Sequence, residues 1–220
     1  KTAYEIMPSL VGSEMCIRDR RYTGPRVRLS RRFNTPLFGS SKYLERKPYP
    51  PGVHGQNRRR KATDYALALA EKQKMRYYYG LMEKQFRGIY DKAIRRRGVT
   101  GEIMLQILET RLDSVVHNLG FGYTRAQARQ MVTHGHVLVN GKRARTPSIA
   151  LHEGDKVEIK HSEKSRHLAD KNLEYSTSRT VPEWLELDKA AYTGSVSRMP
   201  TREDIEPVAN EQTIVEFYSR

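Results

Sequence analysis

Arg125 and Arg129 stand four residues apart in RAQARQMVTHG, a spacing that puts both guanidiniums on one helical face, and the turn pair Asn140-Gly141 places Lys142 and Arg143 just beyond it. The chemistry this suits is phosphate binding. A guanidinium stays charged at every physiological pH and offers a planar fork to paired oxygens, and an ammonium adds a point charge. A second set, Arg95, Arg96 and Arg97, closes an amphipathic segment, where it complements a helix C-terminus and offers a phosphate clamp. The third and largest set is Arg21, Arg26, Arg28, Arg31, Arg32, Lys42, Arg46, Lys47, Arg58, Arg59, Arg60 and Lys61. None of these stretches brings a catalytic domain or a recognisable nucleophile. His134 and His136 invite a metal reading, but the single cysteine, Cys16, is remote from them, so no metal and no other cofactor is expected.

The elements that must position these side chains follow from the charge and apolar pattern. The 220 residues carry 40 Lys and Arg against 25 Asp and Glu, a net +15, with 37% apolar residues. That balance points to a polyanionic partner, and no run reaches the roughly 18 apolar residues a membrane helix needs. Residues 20–61 alone hold thirteen basic residues and one acid, Glu45, a net +12, among five prolines and four glycines. Such a segment lacks the apolar period of a packed core and reads as an extended basic arm with Tyr22, Phe33, Tyr43 and Tyr49 interleaved, although short turns or helices fit it too. Residues 172–220 invert the sign, with five basic residues and nine acids. The first twenty residues resemble neither a secretory nor an organelle leader and read as an extension or an artefact of sequence assembly.

From Asp64, taken as a cap, DYALALAEKQKMRYYYG predicts a helix that stops at Gly80, and LMEKQFRGIYDKAIRRRG predicts a second that ends at Gly98. Residues 100–119 space Leu105, Leu108, Leu112, Val115 and Leu119 as one buried helical stripe. Thr124 then caps the helix that carries Arg125 and Arg129, both expected to be exposed, and Gly135 ends it. Period-two spacing follows in Val137, Val139, Val157 and Ile159 around the Asn140-Gly141 hairpin, which aims Lys142. Further on, acids alternate with apolar residues around 182–187, and Ile214 to Tyr218 read as a strand or packed terminus over the helical core.

The stretch ETRLDSVVHNLGFGYTRAQARQMVTHGHVLVNGKRARTPS resembles the RNA-binding domain of bacterial small-subunit ribosomal protein S-four, and RYTGPRVRLSRRFNTPLFG, EKQKMRYYYGLMEKQFR and NEQTIVEFYSR are similar to other parts of that family. The resemblance spans about residues 20–220. It implies direct binding of small-subunit rRNA early in assembly, at a junction in the five-prime domain. It further implies a place beside the channel through which mRNA enters, next to ribosomal proteins S-three and S-five, with an influence on decoding accuracy and, in some bacteria, repression through its own mRNA. Neither DNA nor membrane is an implied partner. The location implied is cytoplasmic, in the small subunit, with an organelle ribosome left open. On the family's motif, Arg111, Asp113, Thr124, Arg125, Arg129, His134, Gly135, Asn140, Gly141 and Lys142 are the matching positions. Asp113 is read as pairing with Arg111 or a neighbouring cation, and Arg125 and Arg129 as RNA contacts. Some relatives hold zinc on an N-terminal cysteine cluster. Residues 26–39 have no cysteine, and the chain is accordingly read as the cysteine-free, non-zinc variant.

The expected fold is α+β, in five parts. They are an extension (1–20), a basic extended RNA-binding arm (21–63), a helical domain (64–99), an inserted RNA-binding domain of two helices plus a small antiparallel sheet (100–165), and a C-terminal segment packed on the helical domain (166–220). An RNA-modifying enzyme lacks its catalytic domain here. A stand-alone or stress-related RNA binder with the same domain is the alternative, but it would not need the matching arm and terminus.

Overall fold

The computed structural model describes residues 22–39, 42–57, 61–177 and 179–219, and these carry nine helices and five strands. They divide into two units. One comprises residues up to 88 together with 208–220, the other residues 89–207.

In the first unit the basic arm is not extended throughout, because it contains α1 (Arg26–Phe33) and the short α2 (Lys42–Arg46). Pro25 precedes α1 with an extended backbone that suits a helix start, and Asn34, at φ 50°, closes it with its N–H on the Ser30 carbonyl. Leu29 and Leu37 are buried, so two apolar side chains anchor this segment. Helix α3 (Asp64–Tyr78) is capped one residue before the expected Asp64. Thr63 Oγ1 accepts from the Ala66 N–H at 3.3 Å, while Asp64 sits in the first turn, where its charge favours the helix dipole. Helix α4 (Glu83–Ile94) buries Phe86, Ile89, Tyr90 and Ala93 and ends at Ile94. Arg95, Arg96 and Arg97 therefore lie in the turn after the helix rather than in its last turn, and all three are exposed.

The terminus expected as a strand or packed segment is a helix. Asn210 Oδ1 accepts from the N–H groups of Gln212 and Thr213, and Ile214, Phe217 and Tyr218 fall at i, i+3, i+4. Tyr218 donates to Glu83 at 2.7 Å, and Glu83 also accepts from Lys72 Nζ at 2.8 Å. Burial pushes the Glu83 carboxyl up, but the bonds from Lys72 and Tyr218 outweigh it and hold the group below its ordinary value. Lys72 is only 5% exposed and lies over the Phe217 ring, so its charge is matched both by a carboxylate and by a ring face.

In the second unit the single helix expected over 100–119 is two, α5 (Thr100–Glu109) and α6 (Leu112–Asn118). Thr110 Oγ1 folds back to donate to the Gln106 carbonyl, and Arg111 is extended at φ −66°, ψ 139°. The break is held from far along the chain. Leu112 N–H donates to the Ile149 carbonyl and Leu151 N–H to the Thr110 carbonyl, each at 2.9 Å.

Then come α7 (Arg125–His134), β1 (Val137–Val139), β2 (Lys142–Ala144), β3 (Lys156–Ile159), α8 (Glu163–Tyr175), β4 (Leu185–Asp188) and β5 (Thr193–Val196), with the terminal helix as α9 (Glu211–Ser219). The sheet is antiparallel throughout, in the order β2-β1-β3-β5-β4. Here the expected boundary at 165 moves. Residues 185–196 extend the sheet, with Val157 opposite Gly194 and Glu158 opposite Thr193, and their Leu185 and Val196 join the core that α6 and α7 supply. Gly194 permits this, since a Cβ there would come within 2.5 Å of Leu119. Leu112, Leu119, Phe121, Val132, Val157 and Trp184 are among the core residues shared by helices and sheet. Each such large side chain contributes about 1.5–3 kcal/mol by leaving water.

Candidate nucleic-acid interface

Asp113 lies in the first turn of α6, where its Oδ1 accepts from the Ser114 N–H at 3.2 Å. The same carboxylate takes a fork from Arg111, Nε at 3.1 Å and Nη2 at 3.0 Å, and a third arginine bond from Arg129 Nη1 at 3.1 Å. Beside it Glu109, the last residue of α5, accepts from Arg125 Nη2 at 3.2 Å and from Asn118 Nδ2 at 2.7 Å, while Arg125 Nη1 donates to Ser114 Oγ at 3.0 Å. Arg125 and Arg129 were expected to be exposed. Their side chains are instead 14% and 23% accessible, because the two carboxylates draw them against the α5–α6 joint.

Three guanidiniums thus meet two carboxylates, a net charge of +1 held rigidly at the joint. The desolvation cost of charges in such a site is large and is recovered only with complete hydrogen bonding, which Asp113 has. His117 lies nearby. Burial, then the charges of Arg125 and Arg179, lower its imidazole to about 3, so the ring is neutral at physiological pH and adds nothing to the positive field.

Helix α7 presents these residues because its ends are well specified. Thr124 Oγ1 accepts from the Gln127 N–H, and Gly135 closes the helix at φ 71°. Arg143, on β2, donates Nη2 to the His134 carbonyl and Nε to the Gly135 carbonyl, both at 3.0 Å, placing its charge on the negative end of the helix. A Cβ at residue 135 would come within 2.2 Å of that Nε, so the glycine and the arginine fit only as a pair. Asn140 and Gly141, at φ 50° and 76°, form the two-residue turn, with Val139 opposite Lys142. Asn140 also accepts from the Lys156 N–H and donates to Asp155, tying this turn to the next.

The structure therefore sorts the cations. Arg111, Arg125 and Arg129 converge on one joint, and Arg143 sits at the far end of α7. Lys142, Arg145, Arg95, Arg96 and Arg97 are exposed. In the other unit Arg26, Arg28, Arg32, Lys42, Arg46, Lys47 and Lys61 are exposed too. Arg31 differs from them. It donates to the carbonyls of Lys47, Tyr49 and Pro50 and stacks over the Tyr49 ring at 4.9 Å, so it folds the arm on itself. Arg21, Arg58, Arg59 and Arg60 lie outside the described residues. Sequence reasoning missed Glu109, Ser114 and Asn118, whose partners are nine to sixteen residues away, and it missed the clamp made by Arg31.

Among the described residues no group of three or more His, Cys, Asp or Glu could hold a metal ion, and no helix is long and apolar enough to cross a membrane.

Residues 21–109 match the family model described as ribosomal protein S4/S9 N-terminal domain, and residues 110–157 match the S4 domain. The chain is 52% identical to small ribosomal subunit protein uS4 of Akkermansia muciniphila over 201 residues, 91% of this chain and 99% of that protein. It is 52% identical to uS4 of Opitutus terrae over 200 residues (91% and 98%) and 46% identical to uS4 of Thermus thermophilus over 207 residues (91% and 99%). One expectation is corrected. The chain is not cysteine-free, because it carries Cys16, which precedes both matched spans and lies outside the described residues. With the two models covering residues 21–157 and near full-length identity to these relatives, the chain belongs to the small ribosomal subunit protein uS4 family.

Proposed function

We propose that this chain is a structural, non-catalytic component of the small ribosomal subunit that acts by binding rRNA in the cytoplasm. Its 52% identity over nearly the whole of relatives named as small-subunit proteins carries the reading. The geometry accords with it. The S4-domain span holds Arg111, Asp113, Arg125 and Arg129 of the +1 joint, which Glu109 completes from the residue just before it, and the exposed Lys142 and Arg145, a surface that fits phosphates and helical shape more than base edges. The exposed cations of the arm form the second surface, and the described acidic C-terminal residues suit docking to a basic protein.

Within that role the chain binds early, at a helical junction of the five-prime domain, and nucleates assembly. It neighbours ribosomal proteins S-three and S-five, contributes to translational accuracy and acts on its own mRNA. Full-length protein reconstituted with purified small-subunit rRNA and crosslinked should give nucleotide adducts at Arg129, Lys142 and the 58–61 run. Absence of rRNA adducts, or recovery with free RNA but never with assembled subunits, would sink the reading.

A further inference from the structure

Tyr123 and Tyr175 are 48% and 61% exposed, yet their rings meet edge to face with centroids 5.9 Å apart. They border a groove of about 340 Å³ in the second unit, lined also by Gln127, Leu168, Lys171 and Asn172. Set edge to face, the two rings leave aromatic surface open to a flat ligand. The groove is also fixed in place. Tyr123 N–H donates to Gln127 Oε1 at 3.1 Å, and Gln127 Nε2 donates to Asn172 Oδ1 at 2.8 Å. Asn172, which is 3% exposed, is anchored in turn on the Phe121 carbonyl at 2.7 Å. From the other side Arg179 binds the carbonyls of Tyr123 and His117, each at 3.2 Å.

We propose that this groove is a binding site for one unpaired RNA nucleobase, stacked on the Tyr123–Tyr175 pair with its flanking phosphate on Lys171; the proposal rests on the RNA-binding reading above. The chemistry favours this occupant over an apolar side chain of a neighbouring protein. Every base has a π-face for tyrosine. Gln127 keeps an N–H and a carbonyl lone pair beyond the bonds named above, which can meet a base edge. Lys171 supplies the positive charge that a nucleotide needs and an apolar side chain would strand. Because the backbone of Tyr123 is held by Gln127 and Arg179, the ring is positioned before the ligand arrives, which limits the ordering cost of binding.

The test compares the full-length protein's affinity for two RNA hairpins at fixed ionic strength, one with a single bulged adenosine and one with an abasic nucleotide at the bulge. Wild type should prefer the adenosine hairpin by about tenfold, the lower range for stacking one base. The pair Tyr123→Leu and Tyr175→Leu should bind both hairpins equally while melting like wild type, and the pair Tyr123→Phe and Tyr175→Phe should keep the preference. Equal binding by wild type, a preference that survives the leucines, or one lost with the phenylalanines overturns the site while leaving rRNA binding standing. A wild-type protein that binds neither hairpin overturns the RNA reading and this site with it.

Discussion

Arg129 reaches back sixteen residues to place Nη1 3.1 Å from Asp113 Oδ2, on a carboxylate that already holds the fork of Arg111. One acidic side chain thereby fixes the orientation of two guanidiniums and the start of α6. Its removal should be felt in stability before it is felt in binding. Asp113→Ala leaves two mostly buried cations without their counter-charge, a loss of about 3–5 kcal/mol. Chemical denaturation should show this as a lower midpoint with an unchanged slope.

The same pairing separates two kinds of cation. Lys142 and Arg145 are exposed, and among the described residues neither enters an ion pair. Lys142→Gln and Arg145→Gln should each flatten the salt dependence of rRNA affinity by about one unit and leave the melting temperature within a degree or two. Arg125→Ala and Arg129→Ala should weaken rRNA binding and lower the melting temperature together, since the first takes the arginine from the buried Glu109 and the second removes one of the two arginines from Asp113. Filter binding across a salt series, paired with thermal melts, distinguishes the two patterns.

His117 makes the fold acid-sensitive. Its folded value of about 3 lies well below the 6.5 of a free imidazole, so the unfolded chain takes up the proton first. The contribution is complete above pH 6.5 and is lost as pH falls towards 3, at about 1.4 kcal/mol per pH unit. Unfolding free energies measured from pH 7 to 4 should fall less steeply for His117→Gln than for wild type. Parallel curves would remove His117 as the cause.

In the arm, Arg31 should outweigh its equally charged neighbours. Arg31→Lys keeps the charge but gives up the fork to the carbonyls of Lys47, Tyr49 and Pro50 and its stacking on Tyr49. We expect faster amide exchange and proteolysis across residues 26–57 in that variant, with Arg28→Lys behaving as wild type.

What could be seen in the sequence was what neighbours along the chain decide. Thr124 as a cap, Gly135 as a stop and Asn140-Gly141 as a hairpin turn all stand where expected, because each depends on one residue's own conformational preference. The break at Thr110 and Arg111 did not show, since the apolar stripe runs through it and the bonds that hold it come from Ile149 and Leu151. For the same reason Arg125 and Arg129 looked exposed, as nothing local points to Glu109 or Asp113. Residues 185–196 alternate as strands do, yet only the open edge of β3 decides that they join the sheet. The S4-domain model stops at 157, whereas Asn172, which braces the α6–α7 turn, and Trp184, in the core, both lie beyond it.

The joint between α5 and α6 has a bearing on synthesis. A chain grown from its N-terminus carries Thr110, Arg111 and Leu112 about forty residues before Ile149 and Leu151, whose backbone groups hold the break. Until residue 151 has left the exit tunnel these two bonds cannot both form, and the extended backbone at Arg111 lacks the partners that hold it. Completion of the cation joint therefore waits on residue 151, and a chain ending before that point would carry Arg111, Arg125 and Arg129 without the two bonds that set the backbone between α5 and α6.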